Sequence, residues 1–174
     1  PLLLESATND KHICRKISKD IYFAHNFTGL IPKEINNLEV ICALLNSTIS
    51  WLFFENFGRV GLGQGALTFT TNDLKKIPVM LNIESLSKLN KELLIKILYK
   101  MQNREIASIF EEIRINPSKP IREQEPNPLP DRAELDNIIF DELGLTKEER
   151  KEVYWAVCEL VQQRLSKASS LKEK

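Results

Sequence analysis

Arg59 and Gln64 stand in a run where glycine takes every second place, Gly61, Gly63 and Gly65, and Lys75 and Lys76 follow shortly after. A guanidinium and a carboxamide pair bidentately with guanine and adenine edges in a major groove. Lysine ammonium groups suit phosphate oxygens, which position a duplex without reporting its sequence. Glycines, having no Cβ, would let such a loop lie close to another backbone. Plainer readings stand beside these: Arg59 as a cation at a helix C-terminus, the glycines as a tight crossing in the core. Arg15 and Lys16 form a second group, with Lys11 and Lys19 close by. They sit on an alternating stretch that reads either as a ribbon for a major groove or as a solvated edge strand guarded by its lysines. Asn26 follows His25 and could offer its amide to an adenine edge.

Other residue types are too scattered for chemistry. His12 and His25 lack a nearby carboxylate–cysteine set and read as structural or surface histidines. Cys14, Cys42 and Cys158 are odd in number with no C-x-x-C spacing, so reduced core thiols are expected. The glycine run follows a helix and lacks G-x-G-x-x-G spacing, which argues against a dinucleotide loop. No nucleophile–His–acid set and no nuclease-like carboxylate pair with a lysine stands out. The stretch therefore reads as non-catalytic.

The elements that would position these groups are legible from periodicity. Leu38, Ile41, Leu45, Leu52 and Phe53 recur at helical spacing, interrupted by polar Asn46, Ser47, Thr48 and Ser50. Gly58 is placed to end that helix in a left-handed conformation. Ala66–Thr71 is β-prone, Asn72–Lys76 reads as a short helical turn, and Ile77–Pro78 closes the unit. Residues 1–35 read as β structure, with a hairpin turning at Ser18-Lys19-Asp20. From Leu81 to Ile113 a helix is expected, broken near Gln102–Asn103, its stripe formed by Leu86, Leu89, Leu93, Ile97 and Met101 and widened by Leu94 and Leu98. Lys88, Lys91, Lys96 and Lys100 make one side of it basic, as solvated faces often are. The proline-rich 116–130 is a linker or a surface strap. Residues 131–174 read as a helical hairpin. Asp131 with Glu134 and Thr146 with Glu149 mark its helix starts. Leu135, Ile138, Ile139 and Leu143 form the first stripe, ended by Gly144. Val153, Val157, Leu160, Val161, Leu165 and Ala168 form the second.

The string ALLNSTISWLFFENFGRVGLGQGALTFTTNDLKKIPV resembles the C-terminal target-recognition region of adenine-specific DNA methyltransferases of type II and fused type IIG restriction-modification systems. The leading PLLLESATNDKHICRKISKDIYFAHNFTGLIP and the tail DRAELDNIIFDELGLTKEERKEVYWAVCELVQQRLSKA are similar to the same family. The resemblance implies a double-stranded DNA partner and an upstream methyltransferase domain in the parent chain. That domain would bind S-adenosylmethionine and flip the adenine, with or without an attached nuclease. The cofactor turn and the Asn-Pro-Pro-aromatic loop of such a domain are missing here. Asn127-Pro128-Leu129-Pro130 departs from the latter at Leu129 and lacks the aromatic. The Gly-x-Gly-Gln layout before Ile77–Pro78 is also similar to type I specificity subunits. A helical protein-interaction adaptor is the alternative from another class.

Composition bounds these readings. The 174 residues are 43% hydrophobic and 28% charged, ordinary values for a globular chain. Lys plus Arg and Asp plus Glu are each 24, a zero net charge that argues against a purely electrostatic DNA binder. Neither a signal peptide nor a bilayer-spanning run is evident, so a cytoplasmic location without membrane contact is expected. Opening on Pro1 and apolar Leu2–Leu4, the chain reads as a piece of a longer protein. The expected fold is α+β, a small sheet with a packed helix followed by a mostly helical C-terminal half. Its expected parts are a recognition domain over 1–80, a long or broken helix over 81–115, the proline-rich 116–130, and the helical 131–174.

Overall fold

The three leucines that open the chain take the centre of a sheet. A computed structural model describes residues 1–17, 22–31, 37–61, 65–75 and 82–172, with side chains through 170. In it β1 (Leu2–Glu5) lies between β3 (Cys14–Lys16) and β4 (Phe27–Leu30), antiparallel to both. The expected hairpin is thus corrected: the two strands flank β1 instead of pairing with each other. The physical reason is apolar content. Leu2 and Leu4 are buried on the inner face, so this segment takes the doubly paired centre, and the strand carrying Arg15 is left at an edge. After a bend at Ser6 the chain continues as β2 (Ala7–Thr8) into a second small sheet, ordered β2–β6–β5, with β5 (Arg59–Val60) and β6 (Leu67–Thr68).

The helix expected from Leu38 is two helices, α1 (Leu38–Leu45) and α2 (Thr48–Phe57), bent by 67°. The polar residues at the break cause the bend, and all are buried. The Asn46 amide clamps β3: Oδ1 accepts from the Cys14 N–H at 2.9 Å, and Nδ2 donates to the Cys14 and Cys42 carbonyls, each at 2.8 Å. Ser47 caps α2 by accepting from the Ser50 N–H, and Thr48 donates its N–H and hydroxyl to Asp136 at 2.8 and 2.6 Å. Rotation at the break also changes the core face. Val40, Cys42, Ala43, Ile49, Trp51 and Phe54 are buried, whereas Ile41, Leu45, Leu52 and Phe53 are half-buried. Gly58 ends α2 with φ −71° and ψ 162°, an extended rather than left-handed conformation. It is glycine for room: a Cβ there would meet Leu67 and Phe69 side-chain carbons at 2.6–2.7 Å.

The short helix α3 (Thr71–Leu74) follows β6, as the sequence indicated. Ile77–Pro78 lies outside the described residues. Further on, α4 (Lys88–Gln102) ends at the expected break, and α5 (Ile109–Ile113) follows. Leu94, Ile97, Leu98 and Met101 are buried on α4, but Leu89 and Leu93 face outward, a correction to the expected stripe. The proline-rich segment is a strap. Ile121 is buried, and backbone N–H groups of Asn127 and Leu129 donate to the carbonyls of Ile113 and Glu112 at 3.0 and 2.8 Å. The Trp155 indole N–H donates to the Gln124 carbonyl at 2.8 Å.

The last helices are α6 (Pro130–Glu142) and α7 (Lys147–Lys172). The α6 start differs from expectation: Leu129 is the cap residue, and Pro130 takes the first turn, where a missing N–H costs nothing. Asp131 instead binds Arg104 at 2.6 Å. Thr146 and Glu149 form the expected reciprocal cap, and Gly144 is left-handed at φ 68°. The stripe of α7 packs chiefly along α2 and α6 chiefly on α4, while α6 and α7 also meet each other where the Phe140 and Tyr154 rings pack edge-on at 5.6 Å and Arg150 donates to Asp141. Buried Arg132 ties α6 to the rest, donating to Glu112 at 3.1 Å and to the Asn46 carbonyl at 2.6 Å. The α+β class stands: small antiparallel sheets with a packed helix, then a mostly helical C-terminal half. Among the described residues no single helix is long and apolar enough to cross a membrane.

Candidate nucleic-acid interface

Arg59, Gly61, Gly65 and Lys75 fall on one small unit, the β5–β6 hairpin with α3. Arg59 pairs with Thr68 across the hairpin, and the Thr68 hydroxyl donates to the Arg59 carbonyl at 3.0 Å. The Arg59 side chain is 64% exposed, yet its Nη2 donates to Asp73 Oδ1 at 3.0 Å. Asp73 is itself fixed. Its Oδ2 accepts from the Thr70 N–H at 2.9 Å and the Thr70 hydroxyl at 2.6 Å, and its own N–H donates to that hydroxyl at 3.3 Å. These Thr70 hydrogen bonds, with Arg59 adding to them, hold the Asp73 carboxyl down to about 2. The side chain that orients Arg59 therefore stays ionised through the neutral range.

The two ends of the glycine run are anchored differently. The Gly61 N–H donates to the Ala66 carbonyl at 2.9 Å. Gly65 is left-handed at φ 68°, and a Cβ there would sit 2.8 Å from the Ala168 methyl. Its carbonyl accepts from Arg164 Nη1. Lys75 is exposed just past the end of α3. Gly63, Gln64 and Lys76 lie outside the described residues.

The N-terminal candidates separate. Arg15 is exposed on the edge strand β3. Lys16 is turned to Glu39 of α1 in an ion pair, which raises the lysine pKa and lowers that of the glutamate. A neutralised ammonium is a poorer phosphate partner than a free one. Asn26 is exposed, and its carbonyl accepts from the Ser6 N–H at 2.7 Å while the Ser6 carbonyl accepts from the Phe69 N–H at 2.9 Å. Ser6 thereby joins Asn26 to the strand leading into α3. Structure thus groups Arg59, Gly61, Gly65, Lys75 and, through Ser6, Asn26. Arg15 and Lys16 sit across β1 from β4.

His12 has the structural role expected of it. It is buried, with Nε2 3.0 Å from the Leu45 carbonyl and its ring packed on Phe54 and Trp51 at centroid distances of 4.3 and 5.7 Å. Burial pushes its pKa down to about 4. Cys14 and Cys42 are buried with sulfurs 3.9 Å apart, and Cys158 is buried too; all three are free thiols. Among the described residues no group of His, Cys, Asp and Glu could hold a metal ion.

Two residues that bind this unit were not singled out in the sequence, Asp73 and Arg164. Thr70-x-x-Asp73 carries an N-cap signature that flags the first. Arg164 shows as a charge at helical spacing within the stripe of Val161, Leu165 and Ala168. Its partners, Gly65, Glu55 and Asn9, are too distant in sequence to be read. No family model, curated protein or solved structure matches the chain.

Proposed function

We propose that the chain is the DNA target-recognition part of an adenine-specific methyltransferase, or of an enzyme fusing such a methyltransferase to an endonuclease. The resemblance over residues 43–79 motivates this reading. The observation that carries it is Arg59, an exposed guanidinium fixed by a buried, ionised carboxylate beside a glycine-rich loop. An arginine with one donor already engaged loses less freedom on meeting a base edge, and its remaining N–H groups suit the guanine acceptors. Lys75 and Arg15 would meet phosphates, and Asn26 an adenine edge. Transfer of the methyl group and binding of S-adenosylmethionine belong in this proposal to an upstream domain, in a cytoplasmic enzyme.

One observation favours the adaptor reading. Leu89 and Leu93 on α4 are 64% and 36% exposed, an apolar strip of the kind that meets another protein. Selection from a randomised duplex library separates the two. The recognition reading expects the chain to enrich a defined sequence containing guanine, and expects Arg59→Ala to abolish enrichment at that guanine. Failure of the folded chain to enrich any sequence would contradict it and leave the adaptor.

A further inference from the structure

Arg164 stands inside the apolar stripe of α7, where its side chain is 3% exposed and that of its partner Glu55 2%. Burying such a pair confers little net stability over apolar side chains of similar size, so its placement calls for another reason. Its geometry supplies one. Nε and Nη2 hold both Glu55 oxygens at 3.0 and 2.7 Å, and Nη2 also donates to the Asn9 carbonyl at 2.6 Å. The remaining arm, Nη1, donates to the carbonyl of Gly65. One turn further along α7, Ala168 closes the space that a Cβ on Gly65 would need. One turn of the C-terminal helix therefore fixes Gly65 at two points.

The rest of this hairpin is slight. β5 and β6 contribute two residues each, β2 adds only two more on the far side of β6, and pairings this short are marginal without outside support. Arg59 lies on the same hairpin, paired with Thr68. Its reach to a partner therefore depends on where Gly65 is held. A base-reading side chain loses its selectivity when displaced by about half an ångström to one ångström, whereas a phosphate contact tolerates more.

We infer that Arg164 is a positioning residue for the glycine-rich hairpin, and that through it α7 sets how sharply Arg59 discriminates a base. The first half stands on the geometry alone, and the second rests on the proposed DNA-recognition function. Two variants disturb Gly65 in different ways. Arg164→Lys shortens the donor that reaches its carbonyl, and Ala168→Val pushes on it while leaving the ion pair with Glu55 intact.

Amide hydrogen exchange of the 174-residue chain tests the first half without DNA. In Ala168→Val, and in Arg164→Lys if it folds, the Gly61 amide should exchange about tenfold faster, with α4 amides unchanged. Unchanged Gly61 exchange in a folded Ala168→Val chain would overturn the positioning role. The second half is read with duplexes enriched from a randomised library. Both variants should lose about tenfold in discrimination between the enriched duplex and its single mismatches, with binding to scrambled duplex kept within about twofold. A folded variant with faster Gly61 exchange and wild-type discrimination would overturn the coupling to Arg59. If the wild-type chain enriches no sequence, the coupling falls with the recognition reading, and the exchange result decides the positioning role by itself.

Discussion

At the scale of single residues, burial decides more than residue type. His12 takes its proton at about 4 in the folded chain, because burial penalises the cation, against 6.5 when exposed. Above pH 6.5 both folded and unfolded states are neutral at this residue, and stability is unaffected. Between pH 6.5 and 4 the unfolded chain binds the proton first, so stability falls by roughly 3 kcal/mol over the window. Asp136, raised by burial, works in the opposite direction toward the acid end. Urea midpoints measured from pH 8 down to 4.5 should show the loss, and His12→Gln should flatten it; an equal slope in the variant would mean the imidazole is not the group titrating. Gly58 makes a second residue-scale case. Its backbone is unstrained, so Gly58→Ala tests steric fit alone. The new methyl would overlap buried Leu67 and Phe69, and the loss should be about 1–3 kcal/mol by chemical denaturation. A neutral or stabilising result would show that those side chains give way.

At the scale of elements, the helical half is held by packing that sequence periodicity only partly locates. Leu135 is fully buried in α6, so Leu135→Ala should cost about 2–5 kcal/mol. Leu160 is half-buried on α7, and Leu160→Ala should cost distinctly less. Equal losses in denaturant midpoint would mean that α7 buries a different face. Local signals were legible where both partners lie within one turn. The Thr146–Glu149 cap, the helix end at Gly144 and the stop near Gln102 all read directly from short spacings. What was not legible depends on partners far along the chain. Asn46 looked like an interruption of an apolar face because Cys14, whose backbone it clamps, is 32 residues away. Arg15 and Phe27 looked like two arms of a hairpin because nothing local shows that Leu2–Leu4 inserts between them. The stripe of α7 was visible, but that it packs chiefly along α2 was not. At the candidate site, residue type singled out the glycine run, Arg59 and Lys75 as candidates. Asp73, which binds Arg59, and Arg164, which binds Gly65, act through contacts 14 and 99 residues distant.

At the scale of the whole molecule, a zero net charge has to be reconciled with the polyanionic partner proposed for the chain. Ion pairs such as Lys16–Glu39, Arg104–Glu112 and Arg122–Glu152 already match many of the basic groups. Binding by this chain should therefore depend on a few exposed cations and show a shallow salt dependence, since each phosphate neutralised contributes a slope of about one. The central claim is that Arg59 reads a base while Lys75 meets a phosphate, and one measurement separates those roles. It is the affinity of wild-type, Arg59→Ala and Lys75→Ala chains for an enriched duplex and its single mismatches, at two salt concentrations. Arg59→Ala should remove about 1–3 kcal/mol of discrimination at one base pair, because a bidentate guanidinium distinguishes donor–acceptor patterns. Lys75→Ala should weaken every duplex alike and lower the salt slope by about one. If both variants bind matched and mismatched duplexes as the wild type does, the glycine-rich hairpin is a structural element and the account of this chain as a DNA reader is contradicted.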